Sequence, residues 1–299
     1  MKHLILFVFI CFCNIGLSQT KEPMQIVIQD CKTQLPIPYA SICLKGSYMG
    51  IYASEEGVIT LGSSFVNLLK DSFIVTCVGY ETKIYHEKEI NNTLFCLNPS
   101  DALLKDFVVR GRKKKSKTAS IGFHNEKPNN VYTYGKKNSG HIVVTYIENT
   151  FTDPSTIRTL EYVFARKRQQ GNSVIRVRLF SVDKYSLIKK PSKEILDTSL
   201  VQIVKQNTKT LSVDIKHLYI ELPPEGIFVG LEWIEGALEK DSDYHKFEAA
   251  SPVFRGTYQQ GECLTWKKTH DSEWVKYHCS PSKNPNEYSI PMFGLTILK

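Results

Sequence analysis

Beyond its first seventeen residues the chain has no apolar run approaching the roughly 18 residues of a membrane-crossing helix, which excludes helical embedding of the rest of the chain. It also lacks a glycine-rich phosphate cradle, a dinucleotide fingerprint and a serine nucleophile elbow, so the nucleotide-binding and acyl-transfer sites built on those motifs are not expected. Acidic residues are in short supply: 30 Asp and Glu stand against 38 Lys and Arg, a formal net charge of +8 over 299 residues. Ten basic residues fall between Asn98 and Gly140 against three acidic ones, a net of +7, and Lys2 accounts for the remainder. The surplus therefore describes one connecting segment and excludes a basic face spread over the folded parts. With 42% apolar residues, the chain can still bury one large core or two modest ones.

Met1-Lys2-His3, the apolar run Leu4 to Cys13 and the small residues Gly16 and Ser18 form the pattern of a secretory signal, residues 1–18. The chain is accordingly expected to be exported, to the periplasm or to the outer membrane and cell surface. No small residue precedes Cys11 or Cys13, as a lipoprotein signal would require. Six cysteines remain after the signal, in a compartment where disulfides persist, and they allow fifteen pairings. Cys263 and Cys279 flank a hairpin-like stretch and are the disulfide candidate. A metal site using Cys263, His270, His278 and Cys279 is disfavoured: its spacing fits no zinc pattern, and adjacent strand residues point to opposite faces.

Residues 19–98 alternate with period two between turns, giving about seven short strands and almost no helical pattern. Gly57, after Glu55-Glu56, suits the positive φ of a hairpin turn. Ile28-Gln29-Asp30, Leu35 to Ile42, Leu44-Lys45-Gly46, Gly57 to Leu61 and Val78 to Thr82 together resemble the carboxypeptidase-regulatory-like domain. That domain is a transthyretin-like β-sandwich common at the N-termini of TonB-dependent, SusC-like receptors of Bacteroidetes. The resemblance covers about a quarter of the chain and implies a non-catalytic module from a Gram-negative envelope. Glu55-Glu56 departs from the usual Asp.

Residues 99–140 read as a basic linker. Lys105-Asp106-Phe107-Val108-Val109 is similar to a degenerate form of the Leu-x-Glu-Val-Val-Val-x-Gly segment through which such receptors are associated with TonB. From Arg110 to Lys117 six of eight residues are cationic, fitting either a solvated tether or an anionic envelope surface. No aromatic residue is interleaved with that charge, so nucleic acid is not expected as a partner.

Residues 141–299 again read as strands, with loops at Lys190-Pro191-Ser192 and Leu222 to Gly226. Ile175, Val177 and Leu179 alternate with Arg176 and Arg178, which reads as a strand with one wet face. The number of strands suggests a larger sandwich of jelly-roll type. Val177 to Asp183, Ile195-Leu196, Val213-Asp214-Ile215 and Leu222 to Trp233 are similar to the uncharacterised jelly-roll partner found behind regulatory-like domains in Bacteroidetes envelope proteins. That resemblance implies no activity.

Three His-x-x-Glu motifs, beginning at His86, His245 and His270, have no evident third ligand or catalytic carboxylate in a recognisable order. Glu232 and Glu235 flank Trp233, but Glu232 alternates away from Trp233 and from Glu235. A glycosidase pair is therefore less fitting than an exposed strand edge with Trp233 in the core. No catalytic residue, metal or cofactor is assigned. Trp233, Tyr244, Tyr258, Trp266, Trp274 and Tyr277 gather in the last third. Of these, Trp266, Trp274 and Tyr258 are the candidate ligand-binding residues, as rings against which a glycan could stack. The sequence thus points to an all-β, two-sandwich, non-enzymatic envelope protein that binds a protein or a glycan. The alternatives are a glycan- or peptide-directed hydrolase with its site in the second sandwich, and a TonB-associated accessory.

Overall fold

Alternating burial over Met24–Asp30 (β1) puts Ile26, Ile28 and Asp30 inside, as period two requires of a strand with one packed face. The computed structural model describes residues 24–46, 50–62, 65, 72–90, 93–100, 117–133, 140–168, 170–234, 251–270, 272–277, 282–284 and 286–299. In the first part, β2 is Ser41–Leu44, β3 Gly50–Tyr52, β4 Val58–Leu61, β5 Ser72–Thr76, β6 Lys83–His86 and β7 Leu94–Leu97. A sheet of order β4-β1-β7 faces one of order β3-β2-β5-β6. Ile26, Ile28, Ile42, Ile59, Phe73, Val75 and Phe95 fill the space between them. Each such side chain contributes about 1.5–3 kcal/mol on burial. Gly57 takes φ 73° in the turn before β4. Cys31 and Cys96 form a disulfide, Cα–Cα 4.9 Å, beside the parallel pairing of β1 with β7.

The larger sandwich begins earlier than the sequence suggested. Thr118–Gly122 (β8) and Asn130–Thr133 (β9) lie inside the stretch read as linker, yet β8 pairs with Phe293–Leu298 (β21) and β9 with Val253–Gln260 (β17). These edge strands are short and carry Ser and Gly in β8 and Asn and Thr in β9, so they lack the extended alternation that marks the others. The basic residues 110–116 and the TonB-like segment lie outside the described residues.

The remaining strands are β10 His141–Ile147, β11 Thr156–Val163, β12 Ser173–Val182, β13 Pro191–Glu194, β14 Val201–Val204 and β15 Thr210–Asp214. They continue with β16 Ile227–Ile234, β18 Thr265–Thr269, β19 Val275–Lys276 and β20 Glu287–Pro291. One layer has the order β13-β12-β16-β10-β18-β19, with β14 also on β12. The other layer consists of β15-β11-β21-β8 and β20-β17-β9. Ile175, Val177, Leu179, Val229, Leu231 and Trp233 pack inward from the first layer against Leu160, Tyr162, Leu295 and Ile297 of the second. The fold is all-β. No helix among the described residues is long and apolar enough to cross a membrane, which says nothing of crossing by strands.

The outer face of the first layer divides in two, a polar half toward the small sandwich and an apolar half away from it. In the β12–β16 register, Val174 lies opposite Ile234 and Arg176 opposite Glu232, while Phe180 lies opposite Phe228. The Val174–Ile234 end is covered by Tyr52 and Tyr39 of the small sandwich. The Phe180–Phe228 end carries its own apolar cluster with Val144, Tyr146, Val182 and Trp266. Gly79, read as a strand break, has a second role at the contact between sandwiches. It takes φ 86°, and a Cβ there would lie 2.1 Å from the Asp197 carbonyl oxygen, so only glycine allows this approach.

Candidate functional site: a buried ionic junction

The face of β12 expected to be wet is dry. Arg176 is 3% exposed and Arg178 is largely buried, because the small sandwich and neighbouring segments of the larger one cover them. Alternation identifies a polar face; it does not say what lies over it. Isolated buried charge is prohibitive, so these arginines require partners. β16 supplies the first: Glu232 Oε2 is 3.1 Å from Arg176 Nη1 and 2.6 Å from Arg178 Nη1. Glu194 of β13 pairs with Arg178 at 2.7 Å and accepts the Leu179 backbone N–H at 3.0 Å. Arg176 also donates through Nε to Ser199 Oγ at 2.8 Å and through Nη2 to the Tyr39 carbonyl at 2.6 Å. Tyr52 of β3 donates to Glu232 Oε1 at 2.6 Å. Glu232 is therefore on a central strand inside a network that ties the two sandwiches together, not at the exposed edge expected from sequence.

The electrostatics follow from this geometry. Burial alone would raise the Glu232 carboxyl. The two guanidinium groups and the Tyr52 hydroxyl outweigh it and hold the pKa at about 2. Burial opposes the Arg178 charge as well, and Glu194 and Glu232 more than offset that. The Tyr52 hydroxyl is pushed up by burial and then by the Glu232 charge, so it stays a donor.

A second polar contact abuts the first. Cys43 Sγ of β2 lies 3.1 Å from Nδ1 of His270, just after β18, whose ring stands 5.6 Å from that of Tyr52. A thiol beside an imidazole is the arrangement a cysteine nucleophile needs. Here, however, Cys43 is 1% exposed, and the imidazole is packed against the backbones of Gly50 and Gly140. Its Nε2 is buried without a hydrogen-bond partner among the described residues. Burial lowers the His270 pKa, keeping the ring neutral. The ring is then uncharged, and the thiol is sealed from a substrate.

Acid should loosen this region in two steps. Burial, followed by Lys267 and His270, holds His141 down at about 4 against an ordinary 6.5. Histidines kept neutral in the fold contribute stability that is complete above pH 6.5 and is lost as the pH falls toward 4, because the unfolded chain takes up protons first. Glu232 acts in the next window, from about 4.5 down to about 2. Thermal melts across this range should fall in both legs; replacing His141 and His270 by Asn should flatten the first, and Glu232→Gln the second. An unchanged upper leg in the double histidine variant would refute the assignment.

The three candidate ligand-binding residues do not form one platform. Trp266 is 4% exposed and donates through Nε1 to the Lys189 carbonyl at 2.9 Å, which makes it a packing residue. Trp274 is half-buried, edge-on to Phe180 at 5.0 Å and beneath Lys268. Tyr258 stands opposite Ser289 in the other layer. Trp233 is in the core, as expected.

Cys263 is disulfide-bonded, while its suggested partner Cys279 lies outside the described residues, as do His278, His245, Tyr244 and Glu235. No local pattern marks the Cys31–Cys96 bridge, because only the parallel pairing of β1 with β7 brings those positions together. His86 is a strand residue whose backbone N–H donates to Glu89.

No protein-family model, curated protein or solved structure matches this chain.

Proposed function

We propose that this chain is an exported, non-catalytic protein of the cell envelope, a two-sandwich scaffold that binds a protein or glycan partner through its surface. The observation that carries this reading is the junction. Glu232, Arg176, Arg178, Glu194 and Tyr52 engage one another in a buried network, and Cys43, beside His270, is buried as well. Such a network holds two modules together and leaves recognition to the loops and outer faces. The resemblance of the first sandwich to a carboxypeptidase-regulatory-like domain supports the same reading. So does the meeting of two of its motifs, where Tyr80 donates to Asp30 at 3.2 Å.

The test is to probe the chain from residue 19 onward on glycan and peptide arrays, with fractionation of the native host. Retention of intact ligands, together with recovery in the envelope fraction, is expected. Turnover of an arrayed substrate, or recovery in the cytoplasm, would overturn the proposal.

A further inference from the structure

The loop joining β12 to β13 carries an apolar tip that nothing among the described residues covers. Tyr185 is 98% exposed, Leu187 is fully exposed and Ile188 about half exposed. Burying large apolar side chains is the main gain of folding, so three of them held outward in one short loop call for an outside partner. The loop is built to present them. Asp183 Oδ1 accepts the Tyr185 N–H at 2.9 Å, and Ser186 Oγ accepts the Ile188 N–H at 3.3 Å. At its base the Asp183 N–H donates to the Lys190 carbonyl at 2.8 Å, and the Lys189 carbonyl is held by Trp266. The tip stands at the end of the sheet away from the ionic junction, since β12 runs from Val174 at the junction to Val182 at the loop.

The charge around the tip selects the occupant. From Asp183 to Lys193 there are four lysines and one acidic residue. Lys184 is paired with Glu225 at 3.0 Å and the Lys189 ammonium lies over the Tyr146 ring at 5.2 Å, while Lys190 and Lys193 follow where the loop returns into β13. A convex tip of three side chains offers far less than the ~800 Å² per partner of a stable protein interface. A bilayer asks for something else: apolar side chains to enter the acyl boundary and cations level with anionic headgroups. We propose that the 183–190 loop is a membrane-contact element that sets Tyr185, Leu187 and Ile188 into the surface of an anionic phospholipid bilayer. The proposal depends on the exported-protein reading only for where such a bilayer would be met, and it uses residues separate from the Arg110–Lys117 run.

The experiment is flotation of the chain from residue 19 onward with vesicles of phosphatidylglycerol and phosphatidylethanolamine, beside zwitterionic vesicles. A Tyr185→Ser/Leu187→Ser/Ile188→Ser variant is expected to melt as the wild type does, because its positions are exposed, and to lose about a hundredfold in partitioning. Lys189→Gln with Lys190→Gln should lose about tenfold, and added salt should mimic that loss. Neutralising Arg110 to Lys117 should leave the effect of the tip in place. The proposal is overturned if wild type does not float with anionic vesicles, or if the triple-serine variant floats equally well. It is also overturned if the tip substitutions abolish self-association in vesicle-free ultracentrifugation, which would make the loop a contact between copies of the chain. Vesicle binding that fails while the chain still fractionates with the envelope would sink this inference and leave the proposed function standing.

Discussion

Replacing Glu232 by Ala should cost about 3–5 kcal/mol of stability, because it strands two buried arginines and the Tyr52 hydroxyl at once. The loss exceeds that of a surface ion pair, about 0–1 kcal/mol, since neither arginine can turn to water without opening the junction. The depressed carboxyl pKa has the same origin and the same sign: at neutral pH the junction favours the ionised carboxylate. Urea unfolding of the chain from residue 19 onward is the measurement. All three tryptophans, Trp233, Trp266 and Trp274, lie in the larger sandwich, so tryptophan fluorescence follows that part and far-ultraviolet dichroism follows both. The two signals should coincide in wild type and separate in Glu232→Ala. A quadruple replacement of Arg176, Arg178, Glu194 and Glu232 by Met, Met, Gln and Leu removes the charges together, Glu194 included because Arg178 is its ion-pair partner, and should restore much of the loss. A change below about 1 kcal/mol in Glu232→Ala, the range of a surface pair, would mean that the network does not hold the sandwiches.

The second large effect belongs to the Cys31–Cys96 bridge. Its sequence separation of 65 closes a long loop, and the chain-entropy relation gives about 4 kcal/mol for a loop of that size. The small sandwich has few strands with which to compensate. A Cys31→Ser/Cys96→Ser variant should therefore expose residues 24–97 to hydrogen exchange well before the larger sandwich unfolds, with little change in tryptophan fluorescence at that stage. The double variant avoids reducing the separate disulfide of Cys263. Equal protection of residues 24–97 in variant and wild type would contradict the prediction.

These two cases mark where the sequence is informative. Strands β1 to β7, the Gly57 turn and the inward Ile175, Val177 and Leu179 are legible because alternation and turn chemistry are local. The partners of Arg176 and Arg178 are not local: Glu232 is 56 positions from Arg176, and the covering Tyr52 comes from another module. Local pattern shows two arginines on one face, for which the ordinary inference is solvent. The same holds for Trp266, where an aromatic-rich segment suggests a platform but the ring is consumed by packing. Edge strands β8 and β9 are hidden because Ser, Asn and Gly blur the period-two signal. Cys43 and His270, 227 positions apart, carry no motif linking one to the other.

That pair also offers the most direct test of whether the junction is a lock or an active site. Cys43 labelling by iodoacetamide, followed by mass spectrometry at neutral pH without denaturant, reads the accessibility and activation of the thiol together. A sealed junction predicts that Cys43 reacts only as fast as the protein opens, with Cys77, also buried, equally protected, and that both rates rise in Glu232→Ala. Rapid, selective labelling of Cys43 in the native protein, abolished by His270→Asn, would instead reveal an activated nucleophile and contradict the account.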